Sequence, residues 1–410
     1  MARANIDSIN MDDLPQLTTA EAAARLGVKP ASLYAYVSRG LLNRVRTAHG
    51  SFFDALEVER FARSRRRADP VGVVPGSPLM VLDTDIALIE DGNLYFRGRD
   101  AIALTRERSF EQVARWLWEL AAEETGFAVD RQALGAVRPV VAAVAGDASL
   151  ARLQAAVLAL GASATTADLA PTPDAAIRAG QRLLGVLPRV LVDVPGAVLN
   201  ASVASILANA LSVGADPDPA LAGVLDRALS LAVDHDLAVS TLAARVSASA
   251  RGSAYAGVLA ALAIFDSPLH GTVSRDAVAL LRRVHEGEPV PRALRMGEAT
   301  RAGVPGFGHR IYRGPDPRAT AILADIAVLD HDGSVLAAVS DLRSAVHERA
   351  GLHPNIDLAL AALVLAGELR DDAGVVVFAI GRVVGWIAHI ADEYGRAPMR
   401  LRPQGRYVGP

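Results

Sequence analysis

Three of the nine histidines lie in local sequences suited to acid–base chemistry. His235 stands in AVDHDLAVST between two aspartates, and His270 stands in DSPLHGT, where a proline and a glycine end a helical pattern. His309 stands in VPGFGHRIYRGPDPRA, a segment rich in glycine, proline and arginine. In such a segment backbone N–H groups can approach an anion, and a guanidinium matches a carboxylate or a phosphate. A lone histidine is more often a hydrogen-bonded core residue, but three in these contexts favour an anion-binding catalytic site.

Two further ionisable residues interrupt strongly apolar segments. Asp357 follows HPNI and precedes LALAALVLAGEL, and Arg382 lies within VVVFAIGRVVGWIAHIA. A carboxyl at the mouth of an apolar pocket has its pKa raised toward neutrality, which suits a general base acting on a carbon acid. A buried arginine needs an anionic partner, so Arg382 either faces a ligand or forms a structural ion pair with Asp392 or Glu393.

The composition narrows the chemistry further. The chain of 410 residues contains no cysteine, and Lys29 is its only lysine. Disulfides, thiolate metal sites and cysteine nucleophiles are therefore excluded, and a Schiff base or a P-loop would depend on Lys29 alone. No G-x-G-x-x-G follows a predicted strand, so a dinucleotide-binding fold has no support. Histidine, aspartate and arginine remain as the side chains of the site.

The elements that must position these residues are predicted to be mainly α-helical. Aromatic residues make up 5% of the chain, and alanine and leucine dominate its apolar share, which favours helix over sheet. Residues 79–100 alternate around Asp91-Gly92 and predict a hairpin. After Ala101 the apolar period is helical, with breaks at 170–174 and 214–219. At roughly 150 residues per domain, the length predicts two or three domains.

A small basic unit precedes this helical body. Thr18 and Glu21 have capping-box spacing ahead of a short helix, and Gly27 can end that helix in a left-handed turn. Pro30 suits the first turn of a second helix that stops at Gly40. RVRTAHGSFF predicts a short hairpin or wing, and DALEVERFARSRRR predicts a closing basic helix. Residues 15–67 therefore resemble the winged helix-turn-helix of MerR-type regulators and phage excisionases.

The charge of this basic unit leaves two interpretations open. Residues 15–69 carry a formal charge of +5, whereas residues 70–410 carry −6. For DNA binding, the candidates beside the major groove are Lys29, Ser32, Tyr34 and Tyr36, and the candidates for phosphate contacts are Arg44, Arg46, Arg63, Arg65, Arg66 and Arg67. The alternative is a small helical module that docks protein and whose arginines form a solvated face.

From about Ser77 to the C-terminus the sequence resembles the citrate synthase family. The matching segments, in the family's order, are LYFRGRDAIAL, SFEQVARWLWEL, DHDLAVST, SPLHG, VPGFGHRIYRGPDPRA, PNIDLAL, AIGRVVGWIAH and RLRPQGRYVG. The resemblance implies a catalytic triad of His270, His309 and Asp357. Asp357 would remove a methyl proton from an acyl-CoA thioester, His270 would stabilise the enol, and His309 would polarise the keto group of oxaloacetate.

The resemblance also implies the remaining binding residues and the assembly. Oxaloacetate would be held by His235, Arg318, Arg382 and Arg402, the last supplied by the partner subunit, so that the active unit would be a homodimer. The CoA adenine would contact the loop formed by Val304, Pro305, Gly306, Phe307 and Gly308. CoA enters as a substrate, and we expect no cofactor and no metal.

Three positions depart from the family pattern. Asp236 replaces a glutamate and Ala238 an asparagine in DHDLAVST, and Ser274 stands where an asparagine is expected. These departures, with the basic unit, motivate an alternative function: a transcriptional regulator that senses metabolites through a citrate-synthase-like domain. The sequence does not decide between acetyl-CoA and propionyl-CoA as the substrate, because one methylene group changes the binding free energy that distinguishes them by only about 1–3 kcal/mol.

The composition and the two resemblances together predict a domain order for the whole chain. It comprises a flexible tail at 1–14, the winged unit at 15–68, a linker at 69–78, a large helical domain at 79–270 with 366–410, and a small domain at 271–365. The N-terminus lacks the apolar core of a signal peptide. The apolar stretch 375–391 is interrupted by Arg382 and His389, short of the roughly 20 clean residues that span a bilayer. We expect a soluble, cytoplasmic protein without a membrane partner.

Overall fold

The fold is mainly helical, as the composition predicts. The computed structural model describes residues 16–47, 50–55, 57–58, 61, 82–121, 126–144, 149–192, 201–267, 270–294 and 303–399. Within these ranges the chain forms 17 α-helices and two small three-stranded sheets, which confirms the predicted class. The predicted tail at 1–14 and the linker at 69–78 lie outside the described residues.

The strands and helices follow one another along the whole described chain. The strands are β1 Gln16–Thr18, β2 Val45–Thr47, β3 Gly50–Asp54, β4 Ala87–Glu90, β5 Asn93–Phe96 and β6 Arg99–Asp100. The helices are α1 Thr19–Leu26, α2 Pro30–Ser38, α3 Ala101–Glu107, α4 Phe110–Leu117, α5 Arg131–Ala142, α6 Ser149–Ala162, α7 Pro173–Val186, α8 Val203–Leu211, α9 Leu221–Ala232, α10 Val239–Ser249, α11 Ala254–Phe265, α12 Val273–His285, α13 Val290–Ala293, α14 Pro317–Ile326, α15 Ser334–Ala350, α16 Ile356–Ala366 and α17 Ala373–Tyr394.

The chain divides into two compact units. One comprises Met1–Asp83 and Val273–Ala366 and is called the Asp357 unit below. The other comprises Thr84–Thr272 and Gly367–Pro410 and is called the His270 unit. The domain limits expected from the sequence stay predictions.

The His270 unit begins with an antiparallel sheet of β4, β5 and β6. Ala87 pairs with Phe96 and Glu90 with Asn93, which leaves Asp91-Gly92 as a two-residue turn. Both turn residues have positive φ, at 50° and 81°. This geometry matches the right-handed twist of the strands and favours an Asp-Gly sequence. The predicted hairpin is therefore confirmed.

Helix α17 forms the core of the His270 unit. It packs against α7, α9, α10 and α11, and nearly all of its residues are buried. With 22 residues the helix is long and apolar enough to cross a membrane, but its most apolar part is fully buried inside the protein. Burial on all sides identifies α17 as a core helix. It extends beyond the apolar stretch 375–391 at both ends.

Two glycines let the backbone of α17 approach the C-terminal end of α9. A Cβ at Gly381 would lie 2.7 Å from the Leu229 carbonyl oxygen, and one at Gly385 would overlap the Val233 carbonyl oxygen. Real Cβ atoms do not approach backbone oxygens this closely, so only glycine fits. These contacts fix the segment 229–234, which leads directly into His235.

Replacing Gly385 with alanine is expected to lower the free energy of unfolding by about 1–3 kcal/mol or more, because the added methyl group forces α9 and α17 apart. Urea unfolding followed by circular dichroism measures the change. Gly223→Ala is the matched control, since Gly223 is an exposed glycine of α9 with open space around its Cβ position. That variant should be neutral or slightly stabilised. Equal midpoints for Gly385→Ala and the wild type would contradict the close approach.

The Asp357 unit is built around α16. Helix α16 packs against both α12 and α14, and its sequence IDLALAALVLA is almost wholly buried. Helix α15 begins after Gly333 and ends at Gly351, which have φ values of 72° and 61°. The left-handed conformation at Gly351 suits a helix C-terminus. Asp357 is the one acidic residue of α16, and it lies in the first turn of this otherwise apolar helix.

The N-terminal elements of the Asp357 unit have a core of their own. Strand β3 pairs antiparallel with both β1 and β2. Thr18 and Glu21 form the predicted capping box of α1, and Gly27 ends α1 at a φ of 64°. Pro30 opens α2. The buried side chains of this core are Leu17, Ala22, Ala23, Leu33, Leu42, Phe53, Ala55 and Val58.

Candidate active site

Asp357 combines partial exposure with an enclosed carboxyl oxygen. Its backbone N–H donates to Oδ1 of Asn355 at 3.0 Å, which fixes the start of α16. Its own Oδ1 is buried and accepts no hydrogen bond from any described residue. Burial raises the pKa of Asp357 to about 7, against the opposing charge of Arg318. Near neutral pH this carboxyl can therefore both accept and release a proton, as a general base requires.

Arg318 and Asp316 form a buried ion pair at the start of α14. The guanidinium donates from Nε to Oδ1 of Asp316 at 3.0 Å and from Nη2 to Oδ2 at 2.7 Å. Burial alone would raise the pKa of Asp316, but the Arg318 charge outweighs it and holds that pKa below its usual value. Because the pair is neutral overall, Asp316 offsets much of the effect that Arg318 would have on the Asp357 pKa.

His309 is held as a neutral donor. Its Nδ1 accepts the backbone N–H of Ile311 at 3.0 Å and that of Tyr312 at 3.2 Å. A nitrogen that accepts carries no proton, so the ring proton lies on Nε2. Burial, assisted by the Arg318 charge, lowers the pKa of His309 to about 4. At pH 7 the ring can donate one hydrogen bond to a developing oxyanion without giving up its proton beforehand.

The loop 304–308 is tied to the segment just before Asp357. The Gly308 N–H donates to the His353 carbonyl at 2.8 Å, and the Asn355 N–H donates to the Gly306 carbonyl at 2.9 Å. Asn355 Nδ2 also donates to the Gly308 carbonyl at 3.0 Å. Gly306 has a φ of 80°, and a Cβ there would lie 2.8 Å from Cβ of Leu358. The loop predicted for CoA and the predicted base are thus positioned by one set of backbone contacts.

His270, in the other unit, is also neutral. Its Nε2 lies 2.7 Å from the hydroxyl of Ser240 on α10. The Phe265 ring lies edge-on at 5.3 Å between ring centroids. Burial, assisted by the Arg382 charge, lowers the pKa of His270 to about 4. When Ser240 donates to Nε2, the ring proton lies on Nδ1, which then becomes the hydrogen-bond donor.

His235 and Arg382 lie at the C-terminal end of α9. His235 is buried, and its backbone N–H donates to Oδ1 of Asp234 at 2.6 Å. Arg382, in the middle of α17, donates from Nε to the Ala232 carbonyl at 2.8 Å. The guanidinium carbon lies 5.0 Å from the centre of the Phe378 ring. A buried cation and a histidine therefore share this end of the helix.

Arg382 does not form the ion pair with Asp392 or Glu393 that was weighed as the alternative to a ligand. Asp392 and Glu393 both accept hydrogen bonds at 2.8 Å, but from Arg245. They follow Arg382 by ten and eleven residues on the same helix. At 1.5 Å per residue the separation is about 15 Å along the axis, beyond the reach of the two side chains.

The predicted site residues fall into two groups. The Asp357 unit contains Asp357, His309, Arg318 and the loop 304–308, and the His270 unit contains His235, His270 and Arg382. Arg402 lies outside the described residues. Of the departures, Ala238 precedes α10 without a side-chain cap, and Ser274 is buried in α12 with no hydrogen bond from its Oγ to any described residue. The three predicted catalytic residues are thus contributed by both units.

Four functional candidates in this structure were missed by the sequence analysis. They are Ser240, Asn355, Asp316 and Tyr312, each of which holds a predicted site residue by the contacts above. All four lie inside the segments DHDLAVST, PNIDLAL and VPGFGHRIYRGPDPRA. The available signal was therefore proximity to a predicted residue, but the specific partner required the fold.

The candidate DNA-binding residues differ in exposure. Lys29 and Arg46 are exposed, and Tyr34 is 43% exposed with the Arg44 guanidinium carbon 5.5 Å from its ring centre. Ser32 is half-buried. Tyr36 packs against the N-terminal core, with its ring 5.0 Å from that of Phe61. The arginines at 63 and 65–67 lie outside the described residues.

The comparisons with known proteins agree in one family. The family profile described as "Citrate synthase, C-terminal domain" matches residues 77–404. A citrate synthase of Haloferax volcanii is 28% identical over 366 residues, which span 81% of this chain and 94% of that protein. A 2-methylcitrate synthase of Corynebacterium glutamicum is also 28% identical, over 173 residues that span 42% of this chain and 45% of that protein.

The fold is similar to that of a solved enzyme. The structure of the citrate synthase from Thermoplasma acidophilum, in a ternary complex with carboxymethyl coenzyme A and oxaloacetate, superposes with a TM-score of 0.69. The match covers 81% of this chain and 95% of that chain at 23% sequence identity. At this identity the similarity concerns the fold.

Proposed function

Because the chain belongs to the citrate synthase family, we propose that it catalyses the condensation of acetyl-CoA with oxaloacetate and water to give citrate and CoA. The observation that carries the proposal is the Asp357 carboxyl, with an enclosed Oδ1 and a pKa raised to about 7. Such a base suits the removal of a proton from a thioester methyl group at neutral pH. The family favours this acyltransferase over a regulator that only senses metabolites.

The first step would form the enolate of the thioester. Asp357 takes a methyl proton, and the electron pair moves onto the thioester oxygen. His270 donates a hydrogen bond to that oxygen from Nδ1, while Ser240 occupies Nε2. The neutral state of His270 matters, because a neutral imidazole keeps its own Nδ1 proton while it stabilises the negative charge on the thioester oxygen by a hydrogen bond.

The second step would form the carbon–carbon bond. The enolate carbon attacks the keto carbon of oxaloacetate, and the His309 Nε2–H stabilises the keto oxygen as it gains negative charge. That oxygen becomes an alcohol by taking up one proton, which balances the proton that Asp357 removed. Water then adds to the thioester of citryl-CoA, and CoA leaves as the thiol. In this proposal His235, Arg318, Arg382 and Arg402 neutralise the carboxylates of oxaloacetate, the loop 304–308 contacts CoA, and neither a metal nor a further cofactor is needed.

A thiol-release assay tests the proposal. The full chain is given acetyl-CoA or propionyl-CoA, each with and without oxaloacetate, and free thiol is measured. We expect release only when oxaloacetate is present. The assay also decides between acetyl-CoA and propionyl-CoA. Sequence identity does not, because a relative named citrate synthase and one named 2-methylcitrate synthase are both 28% identical to this chain over the aligned residues. If neither thioester releases thiol, the proposed enzymatic activity is wrong and the metabolite sensor is favoured.

The pH dependence of kcat/KM follows from the Asp357 pKa, because kcat/KM reports the ionisation of the free enzyme. The base works as the carboxylate, so the active fraction falls as pH drops below about 7. We expect kcat/KM to rise tenfold per pH unit on the acid side and to level off above pH 8. His270 and His309 are neutral throughout this range, because their pKa values lie near 4. A kcat/KM that stays flat from pH 5 to 8 would contradict the assignment of Asp357 as the base.

The proposed enzyme is a homodimer. Helix α10 has an apolar stripe on which Val239 and Val246 are 58% and 39% exposed, four and three residues on either side of Ala243. A second copy of the chain would cover this stripe. Sedimentation of Val246→Asp should show a shift toward monomer. Val213→Asp is the control, because Val213 is 75% exposed and lies outside α10.

We also propose that the N-terminal elements are a winged helix-turn-helix that binds DNA. In support, β2 and β3 form an antiparallel wing. Lys29 lies exposed just before α2, Tyr34 lies exposed on α2, and Arg46 lies exposed on the wing. The docking alternative has one observation in its favour. A Cβ at Gly303 would lie 3.1 Å from the Arg25 guanidinium, so α1 lies against the start of the loop proposed for CoA.

Two measurements distinguish DNA binding from docking. Duplex affinity should fall steeply with salt concentration and be lost when residues 1–70 are deleted, with Arg46→Ala reducing it in part. If the elements only dock, the deletion leaves duplex affinity unchanged, and Arg25→Ala raises KM for the acyl-CoA. Helix α17, which among the described residues is long and apolar enough to cross a membrane, is buried inside the protein, and we include a cytoplasmic location in the proposal.

A further inference from the structure

A chain of buried polar side chains connects three segments of the His270 unit. The Arg245 guanidinium, on α10, lies 3.2 Å from Nδ1 of His389 on α17. His389 Nε2 lies 2.8 Å from Oδ2 of Asp234, in the segment that joins α9 to α10. The side chains of these three residues have no solvent exposure. We call Arg245, His389 and Asp234 the buried relay.

The donors and acceptors of the relay have only one consistent arrangement. A guanidinium can donate but cannot accept, so Nδ1 of His389 must be the acceptor. The ring proton therefore lies on Nε2 and is donated to Asp234. The Asp234 carboxylate in turn accepts the His235 backbone N–H through its other oxygen, Oδ1, at 2.6 Å. Hydrogen bonds therefore link Arg245 to His389 and His389 to Asp234, and the Asp234 carboxylate accepts from both His389 and the His235 backbone.

The relay ends in a short, unusual piece of backbone. Asp236 has a φ of 59°, which is uncommon for a residue other than glycine. The Ala238 N–H donates back to the Asp236 carbonyl at 3.0 Å. Beneath this turn, a Cβ at Gly385 would overlap the Val233 carbonyl and lie 3.1 Å from Cβ of Asp234. The turn that presents His235 is therefore held from one side by helix α17.

The other end of the relay is anchored by charge. Arg245 donates to Oδ2 of Asp392 and to Oε2 of Glu393, both at 2.8 Å. Arg396 donates to the second oxygen of Asp392 at 3.0 Å. These carboxylates orient the Arg245 guanidinium, because an arginine fork matches carboxylate oxygens in direction as well as charge. The Nη1 group that reaches His389 thus has a fixed position.

We propose that His389 is a positioning residue for His235, acting through Asp234, with Arg245 fixing the tautomer of His389. The oxaloacetate that His235 would bind rests on the function proposed above. In this assignment the relay sets the position of the His235 backbone and so the binding of the keto acid. It does not contact the acyl-CoA or the reacting atoms.

Two substitutions separate the two nitrogens of His389. In His389→Gln the amide nitrogen can occupy the place of Nε2, so the donor to Asp234 is kept. In His389→Asn the shorter amide reaches the place of Nδ1, so the acceptor for Arg245 is kept and the donor to Asp234 is lost. We expect His389→Asn to raise KM for oxaloacetate about 10- to 100-fold, with KM for the acyl-CoA within about twofold of wild type. His389→Gln should lie much nearer to wild type.

A control tests whether any loosening of α17 has the same effect. Trp118 donates from Nε1 to the Val384 carbonyl of α17 at 2.9 Å, a hydrogen bond that involves none of the three relay residues. Trp118→Phe removes this buried hydrogen bond and should leave KM for oxaloacetate unchanged. A rise in KM equal to that of His389→Asn, or equal values for the Asn and Gln variants, would reduce His389 to a structural residue and overturn the proposal.

A spectroscopic readout tests the relay without turnover. Long-range 1H–15N correlation of the 15N-histidine-labelled full chain should show, for the signal that is lost in His389→Gln, a proton on Nε2 and none on Nδ1. The His235 amide signal should move upfield in His389→Asn and stay in place in Trp118→Phe. The opposite tautomer, or an unmoved amide, would overturn the relay. Absence of thiol release by the wild type would instead count against the proposed function and leave this result intact.

Discussion

Replacing Asp357 with asparagine is expected to lower kcat for thiol release by about 10²–10⁴-fold, because the amide cannot take the methyl proton. Asparagine keeps the size of the side chain and the backbone N–H that donates to Asn355. The loop 304–308 and the neighbouring Asp316–Arg318 pair do not depend on the carboxylate. KM for the acyl-CoA and for oxaloacetate should therefore change little. Initial rates at saturating oxaloacetate measure the loss.

The stability of the same variant provides a check that is independent of turnover. An acid whose pKa is raised on folding stabilises the folded state fully below its unfolded pKa and loses this contribution as pH rises through the folded value. For Asp357 the loss falls between about pH 4 and pH 7. Asp357→Asn removes the buried charge, so its unfolding temperature should exceed that of the wild type at pH 8. The two should converge near pH 4.

Asp341→Asn is the matched control for both measurements. Asp341 is an exposed carboxylate on α15 of the same unit. Its replacement should leave kcat and the pH dependence of unfolding unchanged. Two results would contradict the role of Asp357: wild-type kcat in Asp357→Asn, or an unfolding temperature at pH 8 that is lower than that of the wild type.

The local features of the fold could be predicted because short-range physics determines them. The capping box at Thr18, the left-handed Gly27 and the Asp91-Gly92 turn each depend on neighbours within a few residues. The mainly helical class followed from composition. The extension of α17 beyond the apolar stretch 375–391 could not be predicted, because its last turn contains Asp392 and Glu393, which pair with the distant Arg245.

In the candidate site too, local sequence predicts which residues are involved, whereas their partners depend on tertiary packing. His309, Asp357 and Arg382 can be identified as site candidates from the sequence. His309 lies in a glycine-rich segment, and Asp357 and Arg382 are charged residues within apolar segments. The ion pair with Asp392, weighed for Arg382 as the alternative to a ligand, can be dismissed from helix geometry alone, because Asp392 lies too far along the same helix. The bond from His389 to Asp234 joins residues 155 positions apart, so only the packed unit reveals it.

The two ring nitrogens of His309 have separate roles, and removing the role of Nε2 is expected to lower kcat strongly. Its Nδ1 accepts two backbone N–H groups, from Ile311 and Tyr312, which holds the shape of the loop. Its Nε2–H is the donor proposed for the keto oxygen. In His309→Asn the side-chain oxygen can take the place of Nδ1, so the loop contact is kept while the donor at Nε2 is lost. We expect kcat to fall about 10²–10³-fold, the usual loss when one oxyanion donor is removed.

The complementary variant reverses the two tasks. In His309→Gln the amide nitrogen reaches the place of Nε2, whereas the acceptor at Nδ1 is lost. If transition-state stabilisation resides at Nε2, this variant should keep more of its kcat than His309→Asn, and the loosened loop should appear as a higher KM for the acyl-CoA. Single-turnover rates separate the bond-forming step from product release. A larger loss of kcat in the Gln variant than in the Asn variant would show that His309 acts by holding the loop, since a donor kept at Nε2 would then have no catalytic effect.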